Sequence, residues 1–127
     1  MNMYKVTKRM EVSAAHNLSL PYDSPCNGLH GHNWIIEVEL SSPMLSKLGM
    51  IIDFSHIKEA VHGKIDHKCL NDILDFNTTA ENMTDWVRDQ CDKAIGIHAG
   101  ELRKFAFCSR VEIWETEGNS AVWEKQL

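Results

Sequence analysis

The chain has no CxxC pair; its four cysteines, Cys26, Cys69, Cys91 and Cys108, stand far apart. That argues against a zinc ribbon and a thioredoxin-type redox pair. It has no run of Lys or Arg, and its formal net charge is −5. Binding to nucleic acid or to a membrane through a polybasic patch is therefore not expected. No apolar run approaches the ~20 residues that span a bilayer. The N-terminal stretch MNMYKVTKRMEV lacks the apolar segment of a secretory signal, so a cytoplasmic protein with free thiols is expected. No Gly-rich nucleotide loop, internal repeat or linker interrupts the chain.

What is present is ordinary for a globular chain. Hydrophobic residues make up 43% and charged residues 24% of 127. One domain over residues 1–127 is expected, able to bury a core without staples. Cys69, Cys91 and Cys108 read as small core residues.

Alternation marks a first strand over Met3 to Ala15 and a second over His32 to Leu40, with a proline-containing loop at 17–31 between them. Helical spacing of Ile57, Ala60, Val61 and Ile65 predicts a helix over 53–65, capped by Asp53 or Ser55. Residues 66–77 read as a loop. Thr78 with Glu81 fits a capping box for a second helix, and Gly96 fits its stop. Strands follow over 106–115 and 121–124, with a turn at 118–119. The order β-β-α-α-β-β gives an α+β class with a four-stranded antiparallel sheet and two helices.

The chemistry gathers around CNGLHGH, residues 26–32. By itself this stretch fits a metal site, a nucleophile with its base, or a polar loop. His30 and His32 at i and i+2 point to one side of an extended segment. A hairpin closing over the 17–31 loop would bring His16 beside them. Three neutral imidazoles with one exchangeable position is the pattern of catalytic zinc, although imidazole also suits other metals. Cys26 is either a fourth ligand or a thiol beside the cation, where its proton is more easily lost. Asp66 beside His67 can orient that imidazole, but neighbours in sequence face each other only on an irregular backbone. Period 2 from Val111 and Ile113 turns Glu115 inward, where a carboxylate needs a partner. His56, His62 and His98 carry no such context and read as surface residues.

These residues resemble a known family. SAAHNL at 13–18, CNGLHGHNW at 26–34, GMIIDF at 49–54, IDHKCLND at 65–72, TAEN at 79–82 and WET at 114–116 resemble the motifs of the 6-pyruvoyl-tetrahydropterin synthase family, in order and over nearly the whole chain. The three-residue gap between Cys26 and His30 resembles the carboxy-forming branch of bacterial 7-deazaguanine (queuosine) biosynthesis; the pyruvoyl-forming branch has two more residues there. Asn17 departs from the Arg that relatives often carry.

The resemblance implies a T-fold and a carbon–carbon lyase. It implies one zinc ion per subunit on His16, His30 and His32. Cys26 would be the general base, and Asp66 with His67 a second proton-transfer pair. Glu115, helped by Thr116, would anchor a pterin ring. The implied substrate is 7,8-dihydroneopterin triphosphate, and the products are 6-carboxy-5,6,7,8-tetrahydropterin, acetaldehyde and triphosphate. It further implies a homo-oligomer, hexamer or tetramer, with sites at subunit interfaces. Lys68 is a candidate for the triphosphate. Competing expectations are a sibling synthase, an epimerase or aldolase activity, or a metal- or pterin-binding module without turnover.

Overall fold

Alternating side chains build the first hairpin. In the computed structural model, which describes residues 2–126, strand β1 runs Tyr4–His16 and β2 runs His30–Ser42. Met10, Val12, Ala14 and His16 are buried along β1, and Trp34, Ile36, Val38 and Leu40 along β2. The strands pair antiparallel over their full length, with His16 opposite His30 and Ala14 opposite His32. The period-2 rule that buries the aliphatic residues thus carries the histidines onto the core-facing side at the loop end.

Helices α1 (Phe54–Ala60) and α2 (His62–Ile65) replace the single expected helix over 53–65. Asp53 caps α1, accepting the Ser55 N–H at 2.8 Å. The break falls at Val61, whose ψ of −73 departs from helical geometry. The stretch expected to be a loop holds strand β3 (Lys68–Cys69) and helix α3 (Leu70–Ile73). Helix α4 (Ala80–His98) is the main helix of the domain core. Its cap is Thr79, accepting the Asn82 N–H at 3.1 Å, and not the expected Thr78. It also runs past Gly96; the positive φ falls at Gly100, +59°, just beyond the helix end. Strands β4 (Phe107–Thr116) and β5 (Asn119–Glu124) close the chain around a turn at 117–118, one residue before the expected one.

The sheet therefore has five strands in the order β3-β1-β2-β4-β5, not four. The extra strand is short and pairs parallel to β1, at Ala14 and Ala15. The remaining pairs are antiparallel. Met83, Val87, Cys91, Ala94 and Ile95 of α4 pack with Ile57, Ile65 and Leu70 into one core with the buried sheet residues. Cys91 and Cys108 lie in that core as expected, whereas Cys69 is only half-buried. No described helix is long and apolar enough to cross a membrane.

Candidate functional site

The hairpin register sets the site. His16, at the end of β1, is fully buried. Its ring centroid lies 4.6 Å from that of His30 and 5.2 Å from that of His32. Trp34 packs edge-on against both His16 and His32. The fourth member comes from β4: Glu115 Oε1 stands 3.3 Å from His32 Nε2. One ligand atom from each of these four residues lies within 4.8 Å of the others, so the cluster could hold a metal ion.

Proton placement fits that use. His16 Nδ1 lies 2.9 Å from the Thr78 carbonyl and 3.1 Å from its hydroxyl. The carbonyl can only accept, so Nδ1 carries the proton and Nε2 presents a lone pair. His30 Nδ1 lies 2.7 Å from the Gly28 carbonyl, which fixes the same tautomer. Backbone carbonyls that orient ligand imidazoles in this way are a usual feature of metal sites. His16 Nε2 and His32 Nε2 are buried with no hydrogen-bond partner, even though Glu115 lies near the second. Buried ring nitrogens without a partner are costly, and a cation at the point where they converge would satisfy them.

Electrostatics agree. Burial is the main cause holding His16 below its ordinary value of 6.5; the Thr78 contact opposes it, and His30 adds to it. Burial likewise lowers His32, with Glu115 opposing and His30 adding. Both imidazoles are thus kept neutral, the form that binds a metal.

The loop between the strands is tied at its base. Cys26 lies in a single 3-10 turn, Pro25–Asn27, capped by Ser24, whose hydroxyl accepts the Cys26 N–H at 3.2 Å. The Cys26 carbonyl accepts the Leu18 N–H at 2.8 Å, which pins it two residues from His16. Asn17 exchanges two hydrogen bonds with Asn71, from its own N–H at 2.8 Å and to its carbonyl at 2.9 Å. Cys26 is not one of the four clustered residues.

Asp66 and His67 meet through the irregular backbone the sequence demanded. His67 has φ +57°, the one non-glycine residue in the left-handed region among the described residues. Its N–H donates to the Ser13 carbonyl at 2.7 Å, and Asp66 Oδ1 accepts the Ser13 N–H at 3.0 Å. That reciprocal pair starts β3 against β1. The Ser13 N–H is also the main reason the Asp66 carboxyl sits below its usual range, with His62 and His67 adding to it. His67 Nε2 lies 3.5 Å from Asp66 Oδ2, and its side chain is 82% exposed. It borders an open cleft of about 500 Å³ with Ser13, Ala15, Gly31, Asn33 and Lys68. Ala14 and His32, on the core-facing side, line it as well, so the cleft borders one member of the histidine cluster. His67 and Lys68 are not part of the four-residue cluster within the chain.

Glu115 borders a second cleft of about 320 Å³, which Glu81 also lines. Thr116 is exposed, and its hydroxyl accepts Asn119 Nδ2 at 2.9 Å, closing the β4–β5 hairpin. Three histidines expected at the surface are engaged. His56 and His98 stack at 3.7 Å, with His56 Nδ1 buried, and His62 Nε2 lies 3.4 Å from Asp66 Oδ2. The i,i+4 spacing from His62 to Asp66 was the available signal for that contact.

The family model described as 6-pyruvoyl tetrahydropterin synthase matches residues 5–126. A Bacillus subtilis protein named 6-carboxy-5,6,7,8-tetrahydropterin synthase is 34% identical over 74 residues, 58% of this chain and 51% of that protein. The chain thus spans about half the length of the first curated relatives it matches. A Dictyostelium discoideum 6-pyruvoyl tetrahydrobiopterin synthase is 32% identical over 77% of this chain and 72% of its own. The solved structure of the Caenorhabditis elegans 6-pyruvoyl tetrahydropterin synthase shares the fold: TM-score 0.72 at 22% identity, over 99% of this chain and 98% of that one. A histidine cluster built by the hairpin, motifs in order along the whole chain, and a family match covering nearly all of it converge: the chain belongs to the 6-pyruvoyl tetrahydropterin synthase family.

Proposed function

We propose that the protein is a zinc-dependent carbon–carbon lyase that converts 7,8-dihydroneopterin triphosphate to 6-carboxy-5,6,7,8-tetrahydropterin, acetaldehyde and triphosphate, in 7-deazaguanine (queuosine) biosynthesis. The observation that carries the metal dependence is the pair of buried, unpartnered Nε2 atoms on His16 and His32, beside a His30 held in the matching tautomer. His16, His30 and His32 would hold the ion. When bound, it supplies Lewis acidity toward the hydroxyls of the substrate side chain.

The residues of the chain do the rest. Glu115 faces both the histidines and the cleft it shares with Glu81, so its carboxylate can accept the ring N–H and exocyclic amine of a pterin. Cys26, pinned near His16, is the group that takes the side-chain proton. His67, oriented by Asp66, handles protons on the other side of the substrate. Its exposure fits a group that reaches a substrate held partly by a neighbouring copy of the chain, in a homo-oligomer with interfacial sites.

The three-residue spacing from Cys26 to His30 favours the carboxy-forming reaction, and the naming of several curated relatives agrees. The similarity to the Dictyostelium protein supports a second reading, the pyruvoyl-forming reaction. One incubation separates them. Purified protein with 7,8-dihydroneopterin triphosphate should release acetaldehyde, and a chelator should abolish the release. A pyruvoyl product without acetaldehyde would establish the second reading.

A further inference from the structure

Helix α2 places one more imidazole at the site. His62 opens that helix, and Asp66 caps its end, one turn later. The Asp66 carboxylate is contacted on both oxygens. Oδ1 takes the Ser13 N–H at 3.0 Å, and Oδ2 stands 3.4 Å from His62 Nε2 and 3.5 Å from His67 Nε2. The two imidazoles differ in one respect that decides their roles: the His67 side chain is 82% exposed, the His62 side chain 27%. His67 lines the open cleft and His62 does not.

We propose that His62 is a positioning residue for the Asp66–His67 pair, holding the shared Asp66 oxygen from the helix side while His67 alone faces the substrate. This rests on the proposed function, in which His67 handles protons. Asp66 has extended backbone between the end of α2 and the left-handed His67, and its half-buried carboxylate is set in place by the contacts it receives. The Ser13 N–H fixes one oxygen, and without His62 the second is held by His67 alone, the group it is meant to orient. A second donor removes that circularity. Helix α2 packs against α1 and β1. Among the described residues, neither of these gives His62 an ion pair; Asp66 is its charged partner, and nearby Lys64 is bonded to Gln90.

The test is steady-state kinetics on the zinc-loaded protein, with 7,8-dihydroneopterin triphosphate. His62→Phe keeps the ring shape without a donor; His62→Gln keeps a donor that cannot titrate. H62F should lower kcat about tenfold, the loss of roughly one charge-assisted contact, with KM and zinc content unchanged. H62Q should restore kcat to within about threefold of wild type. A wild-type kcat in H62F, with only a lower Tm, overturns the proposal. Ring NMR signals of His67, recorded on the zinc-loaded protein without substrate, separate the two ideas. Signals that change in H62F support positioning even if wild type turns over no pterin, an outcome that would overturn the function and not the contact. Signals that do not change overturn the positioning role.

Discussion

At the scale of single residues, the site is a set of side chains whose hydrogen bonds are spent on one side and open on the other. His16 gives its Nδ1–H to Thr78 and is left with a buried lone pair. The sequence made the three histidines legible, because strand period and loop closure alone bring them together. It did not reveal Glu115 as their neighbour, since Glu115 stands 83 positions from His32 and reaches it only through the pairing of β4 with β2. Burial keeps His16 and His32 neutral below their ordinary value of 6.5, whereas the unfolded chain takes up protons near that value. The unfolded state then binds more protons, so stability rises with pH. Metal-stripped protein should therefore be fully stable above about pH 6.5 and lose stability as pH falls through 6.5 toward the lower folded-state values. Urea midpoints at pH 8 and pH 5.5 measure this, and His16→Gln should flatten the difference; equal midpoints in wild type would contradict it. Cys26 is the sharper test of role. Cys26→Ala should keep the metal and lose turnover by at least a hundredfold, the low end of general-base contributions. Loss of metal in Cys26→Ala would make the thiol a ligand instead.

At the scale of elements, the long strands and α4 were legible because their periodicity runs over many residues. The short pieces between 61 and 77 were not. Strand β3 has two residues, and no pattern of that length is readable; it exists because Asp66 and His67 clasp the backbone of Ser13. The shift of the α4 cap from Thr78 to Thr79 has a related cause. Thr78 is fully buried and its oxygens face His16, so the next threonine takes the capping role. Here the site overrides a local signal. The left-handed φ of His67 is a second such case, a conformation that costs a non-glycine residue about 1 kcal/mol or more. His67→Gly should relieve that cost, partly offset by the added freedom of the unfolded chain, and raise stability by up to about 1 kcal/mol. The same variant should abolish turnover. Thermal unfolding and the acetaldehyde assay, run side by side, read both; a destabilised His67→Gly would mean the side chain, not the backbone, holds β3 in place.

At the scale of the whole molecule, the sheet is open at both edges. Among the described residues, strand β5 pairs on one side only, and β3 covers β1 at Ala14 and Ala15, with Ser13 held by Asp66 and His67, leaving residues 4–12 without a strand partner on that edge. Long unpaired edges template association unless something covers them. The net charge of −5 opposes random aggregation, and pairing between copies in the proposed homo-oligomer would cover those edges. Exposure of His67 on the edge side of the site is consistent with a neighbouring copy completing it. Backbone N–H groups alternate in direction along a strand, so of Ala121 and Val122 one points to β4 and the other outward. Ala121→Pro and Val122→Pro therefore form a matched pair. The variant that removes the β4-facing N–H should weaken folding, because proline deletes a ladder bond. The variant that removes the outward N–H should fold, keep its metal, sediment as a smaller species than wild type and lose turnover with it. Sedimentation velocity at micromolar concentration reads the assembly directly. A wild-type chain that sediments as a monomer and still releases acetaldehyde would show that one copy holds the complete site.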